Sequence, residues 1–502
     1  MRIAPQKFIF VGSGKEFSDT KIQRSVLKSN LPHTEHLGYF DQIAPGLRKY
    51  RSSRRYYWND IVRYCNFYIH EEDSVLEVGC ANGDSLARLK GRERTGIDFS
   101  EAMIAEARKA HPGIHFHVMN AEQITLEQKF DVIVISNSIG FFFDVQKVLE
   151  EIRKVSHRHT RVIITYYNHL WEPLLKLGET LGIKRRTPTQ SWLSSRDLDN
   201  MLELAGWESF RSTRRMLLPY NIPLLSWFTN KYIAKLPFFN AFCINNYINA
   251  RLVQDINEDT SQKYSTTVVI PARNESGNIE NAILRLPRFG KHVEIIFVEG
   301  NSTDDTWDKI QEIQQKYKDT HDIKIARQDG KGKGDAVRKG YAMATGDILM
   351  ILDADLTVPP EDIPKFYEAI ASGKAEFING SRLVYPMEKN AMRFLNMLGN
   401  KFFSMLFSWL LEQHIKDTLC GTKVMFRTDY QRLAANRKFF GEFDPFGDYD
   451  LLFGAYKLNL KIMDLPIRYR ERTYGDTNIS RFKHGLLLLR MCWFAAGKIK
   501  FI

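Results

Sequence analysis

The sequence is poor in cysteine, with only Cys65, Cys80, Cys243, Cys420 and Cys492 in 502 residues. None forms a C-x-x-C pair, so neither a disulfide framework nor a zinc ribbon is expected, and the wide spacing suits free thiols in a reducing compartment. Long apolar runs are missing too. The opening MRIAPQKFIF lacks the apolar stretch of a secretory signal. The two most apolar segments, Phe402–Leu411 and Leu486–Ala496, fall short of a membrane span, and Arg490 interrupts the second. Each is expected as a buried core helix or as an interfacial one. There is no short-period repeat, no low-complexity tract and no nucleic-acid recognition motif, so nucleic acid is not an expected partner.

What is present points to a globular chain with more than one core. The length exceeds that of one ordinary domain. A hydrophobic content of 44% with 26% charged residues fits a globular chain. The net charge of +12 predicts an anionic partner such as a phosphorylated substrate or an acidic membrane. Two strand–helix series run in tandem. The first has strands expected at Ser74–Val78, Thr95–Asp98, His115–Met119, Asp131–Ser136 and Arg161–Tyr167, with helices at Ser100–Lys109 and Val145–Val155. The second has strands expected at Thr267–Ile270, Glu294–Val298, Ile323–Arg327, Ile348–Leu352 and Glu376–Asn379. Alternation of this kind predicts α/β domains with parallel sheets covered on both faces. The polar stretch 254–265 reads as a linker, which divides the chain into 1–253, 254–265 and 266–502.

In the first series VLEVGCANGD places Glu77 at the end of a strand and Gly79 and Gly83 in the turn that follows. Asp98 ends the next strand about twenty residues on, the spacing of an acid that grips ribose hydroxyls. The loop Glu77–Gly83 is not a dinucleotide fingerprint. It resembles the first motif of class I S-adenosylmethionine-dependent methyltransferases, as Asn120-Ala121-Glu122 resembles the stretch beside their adenine. The resemblance implies a Rossmann-like domain and cofactor contacts from Glu77, Gly79, Ala81, Gly83, Asp98, Asn120, Ala121 and Glu122. Ala81 departs from the glycine frequent there. Tyr166, Tyr167, Asn168, His169 and Trp171 either face a methyl acceptor or pack beneath the next segment. The aromatic stretch Leu217–Ile248 reads as a lid over an apolar acceptor or as a dock onto the second half.

In the second series TVVIPARNE and IIFVEGNSTDDT each end a strand in a polar loop. The run DGKGKGDAVRKGY, which contains Lys333, gathers glycine N–H groups and positive charge before a helix, as an anion site requires. DILMILDADLTVPP sets Asp353 and Asp355 at the end of a buried strand. Two such carboxylates repel without a cation, and a hard divalent ion offsets this while neutralising a departing diphosphate. From Thr266 to about Arg472 the chain resembles glycosyltransferase family 2 with the GT-A fold, nearest the dolichyl-phosphate mannose synthase group. That resemblance implies a nucleotide-sugar donor, inversion, Mg²⁺ or Mn²⁺ on Asp353 and Asp355, nucleotide contacts from Pro271, Arg273, Glu275 and Glu299, and phosphate contact from Arg382. Arg273, Glu299, Gly300 and Thr357 depart from the usual pattern.

If the acceptor is a hydroxyl, Asp448 or Asp450 is expected to take its proton; a polyprenyl phosphate would need no base. Arg468, Arg470 and Arg472 are expected on one face of a strand, and the basic, apolar tail suits an anionic membrane surface or is a solvated basic face. The combined expectation is a bifunctional transferase, cytoplasmic and peripheral at the inner face of the membrane. Its first half would methylate a glycan, lipid or related product. The alternative is a single glycosyltransferase with a non-catalytic methyltransferase-like scaffold.

Overall fold

The computed structural model describes residues 20–182, 186–253, 259–384, 394–437, 447–470, 474 and 481–501; within these, side chains 20–34, 394–398, 447–449 and 481–484 lie outside the description. Two seven-stranded sheets follow one another. The first contains β1 (Ser74–Val78), β2 (Glu93–Asp98), β3 (His115–Val118), β4 (Phe130–Ser136), β5 (Ser156–Tyr167), β6 (Trp207–Arg215) and β7 (Asn245–Leu252), in the order β3-β2-β1-β4-β5-β7-β6. The second contains β8 (Ser265–Ala272), β9 (His292–Glu299), β10 (Asp322–Arg327), β11 (Ile348–Ile351), β12 (Phe377–Ser381), β13 (Lys423–Phe426) and β14 (Ile462–Pro466), in the order β10-β9-β8-β11-β13-β12-β14.

The central strands are covered on both faces: all five residues of β1 (SVLEV) and all four of β11 (ILMI) are buried. The sheets are not wholly parallel, which corrects the expectation. β7 inserts antiparallel between β5 and β6, and β13 pairs antiparallel with both β11 and β12. Arg468 and Arg470 are not on a strand either. β14 ends at Pro466, which has no N–H to continue a ladder, and Arg472 lies outside the described residues.

The two halves share a polar seam. Arg161 on β5 pairs with Glu376 at 2.5 Å, both side chains almost fully buried, and donates from Nε to the Asn459 carbonyl. Arg251 donates to the carbonyls of Gly373 and Lys374, and Lys461 meets Glu208 at 2.5 Å. Arg211, fully buried, donates to Asn459 Oδ1 and lies 4.1 Å from the centre of the Tyr456 ring. Tyr68 and Tyr456 hydroxyls meet at 3.0 Å. Breaking a buried ion pair is costly, so the Arg161–Glu376 contact in particular fixes the seating of one half on the other.

Candidate active sites

In the first half the C-terminal edge of β1 and β2 carries the expected cofactor residues. Gly79 and Gly83 both have φ +72, and a Cβ at Gly83 would come 2.6 Å from the Phe116 ring, so the turn needs glycine for both conformation and space. Ala81 adopts φ +49, a conformation costing a non-glycine residue about 1 kcal/mol. Its N–H donates to Asp98 Oδ2 at 2.8 Å, while Ser100 N–H donates to Asp98 Oδ1 at 3.0 Å. The loop and the acid are therefore stapled together before any ligand arrives. Burial still outweighs these two amides and raises the Asp98 pKa.

A cavity here is lined by Gly79, Asp98, Asn120, Ala121 and Glu122, together with His36 from the helix Thr20–Ser53 and Phe141 to Phe143. Asn120 Oδ1 accepts from Glu122 N–H, and Glu122 Oε1 accepts from the N–H groups of Phe143 and Asp144. Glu77 lies beneath the loop, 2% exposed, with Oε2 lacking a hydrogen-bond partner among the described residues. Burial pushes its carboxyl up to about 8, and Arg51 offsets only part of that. Arg51, which sequence reasoning missed because it lies 26 residues before the motif, also reaches Asn82 and Ser85. An orphaned buried carboxylate oxygen beside a ribose-type acid fits an S-adenosylmethionine molecule, whose amino group is cationic. Asn168 and Trp171 donate to the carbonyls of 241–243 and so act in packing.

In the second half, β8, β9 and β11 run parallel, so their C-terminal ends share one edge. The loops after β8 and β9 are laced together. Asn274 N–H donates to Ser302 Oγ, Asn274 Oδ1 accepts from Thr303 N–H, and Glu275 N–H donates to Thr306 Oγ1. Glu275 and Glu299 are buried, and Glu299 Oε1 accepts from Ser302 N–H at 2.5 Å. Pro271 is half-buried and Arg273 is exposed.

Asp353 and Lys333 meet at 2.6 Å. The backbone of Gly421 lies directly against them: a Cβ there would fall 2.1 Å from Asp353 Oδ2 and 2.2 Å from Lys333 Nζ. Asp355 Oδ1 accepts from the N–H and hydroxyl of Thr357, which fixes its turn. Asp353 and Asp355, both half-buried, are the residues that would hold a hard divalent cation, which would supply positive charge for a diphosphate.

Arg382 is not an open phosphate ligand. It forks onto fully buried Asp417, Nε to Oδ2 at 2.7 Å and Nη2 to Oδ1 at 2.9 Å, and Asn400 also donates to that acid. Burial opposes the charge on Asp417, but the Arg382 guanidinium holds its carboxyl well below the usual range. Asp450 pairs with Arg437 at 2.9 Å. Asp448 lies in the first turn of the helix Gly447–Lys457, and its side chain is outside the described residues.

Residues 267–434 match the glycosyl transferase family 2 model, and residues 69–206 match a methyltransferase domain model. Among curated relatives, a dolichol-phosphate mannosyltransferase of Pyrococcus furiosus is 40% identical over 121 residues, covering 24% of this chain and 33% of that protein. An undecaprenyl-phosphate 4-deoxy-4-formamido-L-arabinose transferase of Pectobacterium carotovorum is 34% identical over 113 residues, covering 22% and 34%. The chain thus spans about a third of these relatives' length. Similar solved structures include glucosyl-3-phosphoglycerate synthase of Mycobacterium tuberculosis (17% identity, TM-score 0.35, 47% of this chain and 80% of that one). Another is an S-adenosylmethionine-dependent methyltransferase of Clostridium acetobutylicum (12%, 0.29, 43% and 98%). By the two family matches, the chain joins a methyltransferase domain to a glycosyltransferase family 2 domain.

Proposed function

We propose that the second domain transfers a sugar from a nucleotide-sugar, with inversion, to a polyprenyl phosphate, and that the first transfers methyl from S-adenosylmethionine to the resulting glycan, lipid or a related product. The observation that carries the sugar-transfer reading is the Asp353–Lys333 pair pressed against Gly421 at the sheet edge. Asp353 and Asp355 would hold Mg²⁺ or Mn²⁺, which when bound neutralises charge on the departing diphosphate. Lys333 then exchanges Asp353 for the donor's phosphates. Pro271, Arg273, Glu275 and Glu299 form the nucleotide-facing loops, and Arg382 positions the Asp417–Gly421 segment through Asp417. A phosphate acceptor is favoured over a hydroxyl because Asp450, one of the two candidate bases, is tied to Arg437. The relatives named for dolichol phosphate and undecaprenyl phosphate support the same acceptor class.

In the first domain Asp98 would hold the ribose hydroxyls, Glu77 the cofactor's ammonium, and Asn120 to Glu122 the adenine. The cofactor supplies the electrophilic methyl, so the protein's work is alignment. A cytoplasmic location at the inner membrane face belongs to this proposal; among the described residues no helix is long and apolar enough to cross a membrane.

The test is a set of labelled nucleotide sugars offered with polyprenyl phosphate and Mg²⁺ or Mn²⁺. Asp353→Asn is expected to lower transfer by about a thousandfold while cofactor binding by the first domain stays intact. Full activity in that variant overturns the metal assignment. Labelled methyl entering the lipid extract separates a working methyltransferase from a scaffold.

A further inference from the structure

The first domain carries an apolar surface outside the lining of the candidate cofactor cavity. Residues 217–242 expose Leu224 (81%), Trp227 and Phe238 (71%). Leu224 does so with φ +61, a backbone strained for leucine, which holds the side chain away from the core. This arm continues onto the second domain. Trp409 Nε1 donates to the Lys235 carbonyl at 3.0 Å, and the Phe501 ring lies 5.3 Å from Tyr232 and 6.0 Å from Trp409. The adjoining helices Phe394–Leu411 and Arg481–Ala495 expose Met405 and Trp493 in turn.

The charge carried by the stretches that form this surface has one sign. The stretches 209–254, 394–411 and 477–502 contain no aspartate or glutamate, yet include Lys231, Lys401, Arg490 and Lys498. Lys231 Nζ lies 5.5 Å from the Trp227 ring centre. Aromatic and aliphatic side chains interleaved with cations, and no acid, complement an anionic lipid surface. A second copy of this chain is a poor occupant, because a two-fold contact would bring like charges face to face.

We propose that residues 217–242, with the helices Phe394–Leu411 and Arg481–Ala495, form one continuous surface that seats both domains on an anionic bilayer. This deepens the lipid-phosphate reading above. It assigns the membrane contact to the methyltransferase half as much as to the C-terminal tail.

The test is flotation of the full chain with phosphatidylcholine vesicles, with and without phosphatidylglycerol. Wild type is expected to float with the anionic vesicles. The triple substitution Leu224→Ser, Trp227→Ser, Phe238→Ser is expected to lower partitioning by about a hundredfold, with cofactor binding and sugar transfer to a detergent-dispersed acceptor unchanged. The pair Lys231→Glu, Lys498→Glu is expected to cost about tenfold, on the phosphatidylglycerol vesicles only. Wild type that stays with the protein-only fraction overturns the proposal, as does a triple variant that floats like wild type. So does a wild-type dimer in sedimentation that the triple variant dissolves, which would make the surface a self-interface. Vesicle binding without sugar transfer from any donor would instead count against the proposed reaction and leave this surface standing.

Discussion

Each sheet presents an acid at its C-terminal edge, and the two acids are balanced in different ways. Asp98 rests on backbone N–H groups from Ala81 and Ser100, which cannot leave it. Asp353 rests on the side-chain ammonium of Lys333, which can. The first edge is therefore built to receive a ligand without rearranging its charges. The second, under the function proposed above, would trade partners on binding a cation and a diphosphate. The first arrangement favours tight binding of a molecule whose own sulfonium supplies the reactivity. In the proposed reaction the second would couple donor binding to assembly of the charge cluster that stabilises the leaving group.

The seam between the halves gives the sharpest test of how far they are separable. Arg161→Ala leaves buried Glu376 without its guanidinium partner, keeping only the Lys461 N–H among the hydrogen bonds described, with an expected loss of about 3–5 kcal/mol. Denaturant unfolding should then split from one transition into two. A single transition at the wild-type midpoint would mean that the seam adds nothing.

The exchange at the second edge is probed next. Gly421→Ala forces a methyl group between Asp353 and Lys333 and is expected to slow sugar transfer by about a hundredfold, measured as kcat/KM with donor saturation followed separately. Cofactor binding by the first domain should not change, and if it does, the two edges communicate.

The smallest expected effect lies at the first edge. Glu77 carries a raised pKa of about 8. A carboxyl whose folded value lies above its unfolded one stays neutral in the native protein at lower pH, and it destabilises the fold progressively as pH climbs from the ordinary carboxylate range towards 8. If its ionised form meets the cofactor's ammonium, cofactor affinity should rise about tenfold per pH unit below 8 and level off above it. Glu77→Gln should flatten that profile in a calorimetric titration.

The strands beside the candidate sites were legible because burial on both faces gives each an apolar run: Val75-Leu76 in β1, Val132–Ile135 in β4, Val268–Ile270 in β8 and Ile348–Ile351 in β11. β7 did not, being the sequence NNYINARL. Its asparagines are buried because their partners come from distant parts of the chain, as when Asn249 meets Tyr64 and Asn459. The same blindness applies at the sites. The sequence shows that Arg382 and Asp450 are charged, but not that Asp417, 35 residues on, and Arg437 have already taken them. Arg51 acts through proximity alone, and nothing in its local sequence marks it; the segment DTLCGTK around Gly421 does resemble an acceptor-side segment of the glycosyltransferase family, but not in a way that shows the Gly421 backbone against Asp353 and Lys333. Apolar periodicity reports the layer a residue occupies, whereas a charged residue's role depends on what folds up against it.

The buried pairing of Arg161 with Glu376 also bears on how this protein can be handled. A gene cut between Leu252 and Ser265 would yield two polypeptides, each with a raw face of unmatched charge and aromatic side chains. Purified singly they should precipitate; produced together in one cell they should find each other and travel as a complex without any covalent join.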